Sequence, residues 1–191
     1  MNIAISAAET SGDLVASALV KSLLELSPKC NIEGMAGDKM ATAGCLVLWH
    51  LNQVNVMGFS EVLKKLPSLL RLRKAMVSHF CEKKPAVFIG VDAPDFNFKI
   101  ERQLKARGIK TVHFVSPSVW AWRSGRINKI KKSTDLILCM FPFEVDFYKE
   151  NGQDALFVGH PLAETLSPRM NHQQGKKVLL MPGSREAEIK S

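Results

Sequence analysis

Apolar residues fall into two alternating patterns along the chain. Short, nearly continuous runs of strand type recur at residues 2–8 (NIAISAA), 30–37 (CNIEGMAG), 86–91 (AVFIGV), 110–115 (KTVHFV), 134–140 (TDLILCM), 155–159 (ALFVG) and 176–181 (KKVLLM). Between them stand stretches with apolar residues at helical spacing. A helix is predicted from about Gly12, with Val15, Leu19, Leu23 and Leu26 on one stripe. Another carries Phe96, Ile100 and Leu104 and can be stopped by Gly108. Strands that read as buried on both faces, joined through helices by short connections, predict an α/β fold. Its centre is a Rossmann-like, mostly parallel sheet covered on both sides. Ligands of such sheets bind beyond the carboxyl ends of the strands.

The pattern also divides the chain. Residues 1–166 read as one N-terminal domain. Residues 167–176 (SPRMNHQQGK) are polar and rich in breakers, and one further strand and a turn follow before Ser191. A lone strand and half a helix bury no core of their own. Residues 167–191 are therefore expected to be a linker and the truncated start of a second domain.

Composition changes this picture in one respect. With 46% apolar and 23% charged residues, the 191-residue chain has the make-up of a soluble globular protein. No apolar run approaches the roughly 18 to 20 residues that span a bilayer. The opening lacks the basic region and apolar stretch of a signal peptide. Cys30, Cys45, Cys81 and Cys139 are widely spaced, which favours a reducing cytosol. The net charge of +8, however, is clustered. Residues 99–132 hold ten Lys/Arg against one acid, Glu101, and residues 61–84 hold seven against two. Such an excess points to solvated helix faces or to an anionic partner: nucleic acid, a phosphorylated substrate or an acidic membrane.

Four stretches carry candidate chemistry. AAETSGD (7–13) links the first strand to the first helix; Thr10 or Ser11 can cap that helix, or its amides can hold an anion. One glycine is too few for a dinucleotide fingerprint. GVDAPDFN (90–97) places Asp92 and Asp95 straight after a strand, as turn residue, cap, metal ligand or base. The spacing is not the D-x-D of metal-dependent glycosyltransferases, and no zinc, Walker or G-x-S-x-G pattern occurs. VSPSVWAWRSGRINKIKK (115–132) sets Trp120 and Trp122 among cations, as core packing or ligand contact. LLMPGSREAEIK (179–190) repeats strand, Gly-Ser turn and helix start, where Gly183, Ser184 and Arg185 can meet a diphosphate. His113, inside a strand, reads as structural, whereas His160 at a strand end fits either role.

Residues 56–76 (VMGFSEVLKKLPSLLRLRKAM) form a basic amphipathic segment that Pro67 is expected to break or restart. It suits packing by its leucines or docking on an anionic bilayer. In the second case five cations would contribute up to about 5 kcal/mol.

AETSGD, VMGFSEVL, GVDAPDFN, HFVSPSVWAWR, FPFE, FVGHPL and LLMPGSREAE stand in an order and approximate spacing that resemble lipid-A-disaccharide synthases. The resemblance covers essentially all 191 residues. It implies a GT-B fold, two Rossmann-like domains facing across a cleft. It also implies an inverting glycosyl transfer without metal or cofactor, from UDP-2,3-diacylglucosamine to 2,3-diacylglucosamine 1-phosphate. The product would be the β-1,6 disaccharide precursor of lipid A, made at the cytoplasmic face of a Gram-negative inner membrane. By the same resemblance Asp92 is the expected base and Glu9 a second carboxylate that can orient the acceptor, while Asp95 caps a helix. Ser11, Gly12, Asn97, Ser116, Trp122, Arg123, Gly183, Ser184 and Arg185 are the expected substrate contacts. Leu63, Lys64, Lys65, Leu66, Leu69, Leu70, Arg71 and Arg73 are expected to face the membrane. A catalytically incompetent module that only binds acceptor lipid or membrane is the alternative. Another GT-B enzyme fits PSVWAWR and VDAPDFN less well, and nucleic-acid binding is the weakest reading.

Overall fold

The computed structural model describes residues 1–54, 59–119 and 124–165. The expected linker and the strand at 176–181 lie outside the described residues. Seven strands form one sheet: β1 (Asn2–Ala7), β2 (Asn31–Ala36), β3 (Leu46–His50), β4 (Val87–Val91), β5 (Lys110–Phe114), β6 (Leu136–Cys139) and β7 (Ala155–Phe157). Their order is β3-β2-β1-β4-β5-β6-β7, and every adjacent pair is parallel. The helices are α1 (Thr10–Leu26), α2 (Asp38–Thr42), α3 (Phe59–Lys83), α4 (Pro94–Lys105), α5 (Ile127–Ser133), α6 (Pro142–Glu150) and α7 (Leu162–Thr165).

Alternation along β1 explains why the strand runs are continuously apolar. Ile3, Ile5 and Ala7 enter one core with Ala16 and Val20 of α1, while Ala4 and Ala8 enter another with Met76, Phe80, Ile100 and Leu104 of α3 and α4. Both faces exclude water, so neither set of alternate residues can be polar without a partner. A third cluster joins Ile127, Ile130, Ile137 and Tyr148 around α5, β6 and α6.

Six predicted strands appear, and Gly108 follows α4 with φ of +83°, as a helix stop requires. Three details differ. The strand β3 was not among the predicted runs; its residues are exposed or half-buried at the sheet edge, so its apolar signal is short. Helix α1 begins at Thr10 and buries Gly12, Asp13, Ala16 and Val20; Val15, Leu19 and Leu23 flank that face, and Leu26 in the last turn is exposed. Helix α3 runs unbroken through Pro67. Pro67 is exposed, so water can satisfy the carbonyl that loses its helical N–H partner.

Candidate active site

The strand order reverses between β1 and β4, where a parallel sheet opens a crevice at its carboxyl edge. Ala7 and Val91 pair at that edge, and the next polar side chains are Glu9 and Asp92. Glu9 occupies the N-cap position of α1 in extended conformation and is exposed. Asp92 and Ala93 both have left-handed backbones, with φ of +53° and +43°. Two consecutive non-glycine residues there cost roughly 1–2 kcal/mol each, so surrounding contacts must hold them.

Asn97 supplies much of that hold. Its Nδ2 lies 2.8 Å from the Asp92 carbonyl, 3.1 Å from that of Val91 and 3.2 Å from that of Ser6. Its Oδ1 accepts the Ser6 hydroxyl at 2.8 Å, and the Asp92 N–H donates to the Phe114 carbonyl at 2.9 Å. The carboxylate of Asp92 is held from the other side. Ser11 Oγ donates to Asp92 Oδ2 at 3.0 Å, leaving Oδ1 without a hydrogen bond among the described residues. Gly12 permits this approach: a Cβ there would lie 3.2 Å from the Val91 carbonyl and 3.3 Å from Asp92 Cβ. The first turn of α1 therefore closes on Asp92, and its partial positive end faces an anion. The result is a half-buried carboxylate with one oxygen oriented and the other open.

Several expected roles change with this geometry. Ser11 does not cap α1; it sits in the first turn and binds Asp92. Asn97 is fully buried and its amide is consumed by three carbonyls and Ser6, so it positions the Asp92 turn and does not reach the rim as a substrate contact. Asp95 lies inside the first turn of α4, whose N-cap is Ala93 with no side-chain bond, so Asp95 is not the cap. Ser116, just past β5, is half-buried and pairs with the Tyr148 hydroxyl at 3.0 Å. Trp122, Arg123, Gly183, Ser184 and Arg185 lie outside the described residues.

Asp13, the last residue of AETSGD, had no assigned role. It is buried, and its carboxylate accepts the N–H groups of Gly37 at 2.8 Å, Lys39 at 3.0 Å and Met40 at 3.2 Å, capping α2 from a distance. An acid one turn into a helix, on its buried face, was the available signal. Deeper still, His113 Nδ1 and Glu101 Oε1 are 2.7 Å apart with both side chains fully buried. Burial pushes Glu101 above the usual carboxylate range, with His113 and then Lys105 pulling the other way. Gly90, between them and Ser6 in register, leaves the space that Glu101 fills. His113 is thus structural, as its place inside a strand implied. His160 Nδ1 accepts the Leu162 N–H at 3.2 Å. The buried thiols of Cys45 and Cys139 are pushed up to about 12, chiefly by desolvation, so neither is a thiolate near neutral pH.

Along α3, Leu66 and Leu70 are 42% and 52% exposed and Arg71 is exposed, whereas Leu69 turns half-inward against the second core. Arg73 does not face outward: it is buried at 7% exposure, with its guanidinium carbon 5.5 Å from the Phe96 ring. Three residues after Leu70 and seven after Leu66, it shares their side of α3, but at its level that side is covered by Phe96 of α4. The side chains of Leu63, Lys64 and Lys65 lie outside the described residues. No described helix is long and apolar enough to cross a membrane.

Two carboxylates at the switch point of a parallel sheet suit acid–base chemistry on a ligand, and kinship identifies the family. Residues 3–191 match the model of the LpxB family, lipid-A-disaccharide synthetase. The chain belongs to the lipid-A-disaccharide synthetase family. A lipid-A-disaccharide synthase of Psychromonas ingrahamii is 45% identical over 199 residues, covering 99% of this chain and 52% of that protein. One from Xanthomonas campestris pv. campestris is 45% identical over 197 residues, covering 98% of this chain and 45% of its own. The chain thus spans about half the length of the curated synthetases it matches. Among solved structures, a putative UDP-N-acetylglucosamine 2-epimerase from Listeria monocytogenes aligns at TM-score 0.60 and 10% identity, over 90% of this chain and 48% of that one. Acinetobacter baumannii MurG aligns at TM-score 0.53 and 12% identity, over 93% and 48%. At that identity the likeness is one of fold: this synthetase-family chain has the architecture of half a GT-B protein.

Proposed function

We propose that this chain supplies the acceptor half of a lipid-A-disaccharide synthase. The observation that carries the reading is Asp92, held at the switch point with Oδ2 on Ser11 and Oδ1 open. Asp92 Oδ1 takes the proton of the acceptor's 6-hydroxyl in 2,3-diacylglucosamine 1-phosphate. The oxygen attacks the anomeric carbon of UDP-2,3-diacylglucosamine from the face opposite the nucleotide. The bond to UDP breaks with inversion, leaving a β-1,6 linkage, UDP and a protonated Asp92. General-base help of this kind contributes about 10²–10⁴-fold to rate. Glu9, across the crevice, orients the acceptor. Gly183, Ser184 and Arg185 stabilise the departing diphosphate, and Ser116, Trp122 and Arg123 contact substrate. The chain works at the cytoplasmic face of the inner membrane, where the exposed leucines and cations of α3 meet the bilayer that holds both acylated substrates.

The test joins this chain to the C-terminal half of the Psychromonas ingrahamii relative and follows disaccharide formation. Asp92→Asn is expected to lower kcat by about 10²-fold or more with unchanged KM and melting temperature. Turnover near that of the unmutated chimera would remove Asp92 from the role of base.

A further inference from the structure

Arg73 is the cation in this fold that its surroundings explain least. It is 93% buried by its 7% exposure, and no carboxylate lies within ion-pair distance among the described residues. Its Nε is sealed from solvent without a hydrogen-bond partner. The terminal nitrogens make no hydrogen bond among the described residues either, yet are not sealed in. The face of Phe96 beneath it offsets part of the cost of burying a charge, but a ring accepts no bidentate hydrogen bonds. Burial pulls Arg73 below the ordinary guanidinium value, and no carboxylate among the described residues offsets it.

Its height in the fold is informative. Ten residues separate Arg73 from Lys83 at the end of α3, about 15 Å of helix. That matches the rise of the five-residue strand β4, about 15 Å, which the chain enters after α3. Arg73 is therefore level with the carboxyl edge of the sheet. Phe96 under it is four residues after Asp92, and shares its core with Ala8 and Ala93, the neighbours of Glu9 and Asp92.

We propose that Arg73 forms an anion subsite beside Asp92 that takes the phosphate monoester of the acceptor sugar. A planar guanidinium can grip two phosphate oxygens at once. In such an acceptor the 1-phosphate and the 6-hydroxyl arm flank the ring oxygen, so a sugar whose 6-hydroxyl meets Asp92 carries its phosphate within one ring's breadth of it. This deepens the acceptor reading above and rests on it.

Two measurements on the 191-residue chain test the subsite. The first is equilibrium binding of short-acyl 2,3-diacylglucosamine 1-phosphate and of the same molecule without its phosphate, to the wild type, Arg73→Met and Arg73→Lys. The wild type is expected to prefer the phosphorylated form by about 10- to 100-fold, as for hydrogen bonds to charged groups. Arg73→Met should lose that preference while binding the dephosphorylated form as the wild type does, and Arg73→Lys should keep part of it. Equal binding of both forms by the wild type, or a preference retained in Arg73→Met, overturns the subsite. The second is the melting temperature in inorganic phosphate against chloride at fixed ionic strength. It should rise for the wild type and not for Arg73→Met. A chain that binds neither sugar but keeps this Arg73-dependent rise has the anion subsite and fails the acceptor reading. A chain that shows neither effect fails both. Since Arg73→Met removes a buried charge that has no ion-pair partner among the described residues, it should fold at least as stably as the wild type, so lost binding is not lost structure.

Discussion

Asp13 is a buried carboxyl group with no ion pair among the described residues, and three backbone amides donate to it instead. Those amides belong to the start of α2, whose own N-cap residue, Gly37, has no side chain to offer. Removing the carboxylate leaves the donors unmet in a dry place. Asp13→Ala should cost about 3 kcal/mol, read as a lower urea midpoint at unchanged slope; Asp13→Asn, keeping one acceptor oxygen, should lose less. An undiminished midpoint would show that water reaches the α2 amides. Asp92 behaves in the opposite way, with strain concentrated in its backbone and one oxygen left open. Its position was legible because a strand end is marked by where the apolar run stops. The destination of Asn97 was not. Its amide reaches Ser6, Val91 and Asp92 only because the left-handed turn at Asp92 and Ala93 folds α4 back onto the sheet, and no local pattern announces such a turn in non-glycine residues.

At the scale of the element, α3 divides its side chains between two tasks. Leu69 and Leu72 pack half-buried against the core shared with α4, whereas Leu66 and Leu70 stay exposed. The double substitution Leu66→Ser, Leu70→Ser should therefore leave the melting temperature nearly unchanged and weaken sedimentation with phosphatidylglycerol vesicles. Leu72→Ser should lower the melting temperature instead. Equal vesicle binding by the double variant would remove α3 from the membrane-docking reading. The amphipathic character of this segment was plain in its spacing. Its continuity through Pro67 was not, because a proline's local cost was outweighed by the burial of Met76, Val77 and Phe80 further along the helix. Nor was the inward turn of Arg73, since a cation among cations reads as surface until its neighbours across the fold are known.

The whole molecule adds a dependence on pH. Glu101 is fully buried and held above its ordinary value of 4.5, chiefly by desolvation. Above about 4.5 the unfolded chain has released a proton that the folded protein keeps until pH passes the raised value. Stability is therefore fullest below that window and falls as pH rises through it, by up to about 1.4 kcal/mol per pH unit. Glu101→Gln should flatten this limb in denaturation measured across pH; parallel curves would mean that the pair is not the source. His113 was legible as structural from its place inside a strand, but not its partner, twelve residues away on another element. The same division holds for the fold. Alternating strand and helix patterns, each set by the chain's own periodicity, sufficed for a parallel sheet covered on both faces and for acids at its carboxyl edge. Strand order, the edge strand β3 and the meeting of Glu9, Ser11 and Asp92 at one switch point came only with the tertiary structure. Periodicity reports which face of a segment is dry, whereas neighbours distant in sequence decide what that face touches.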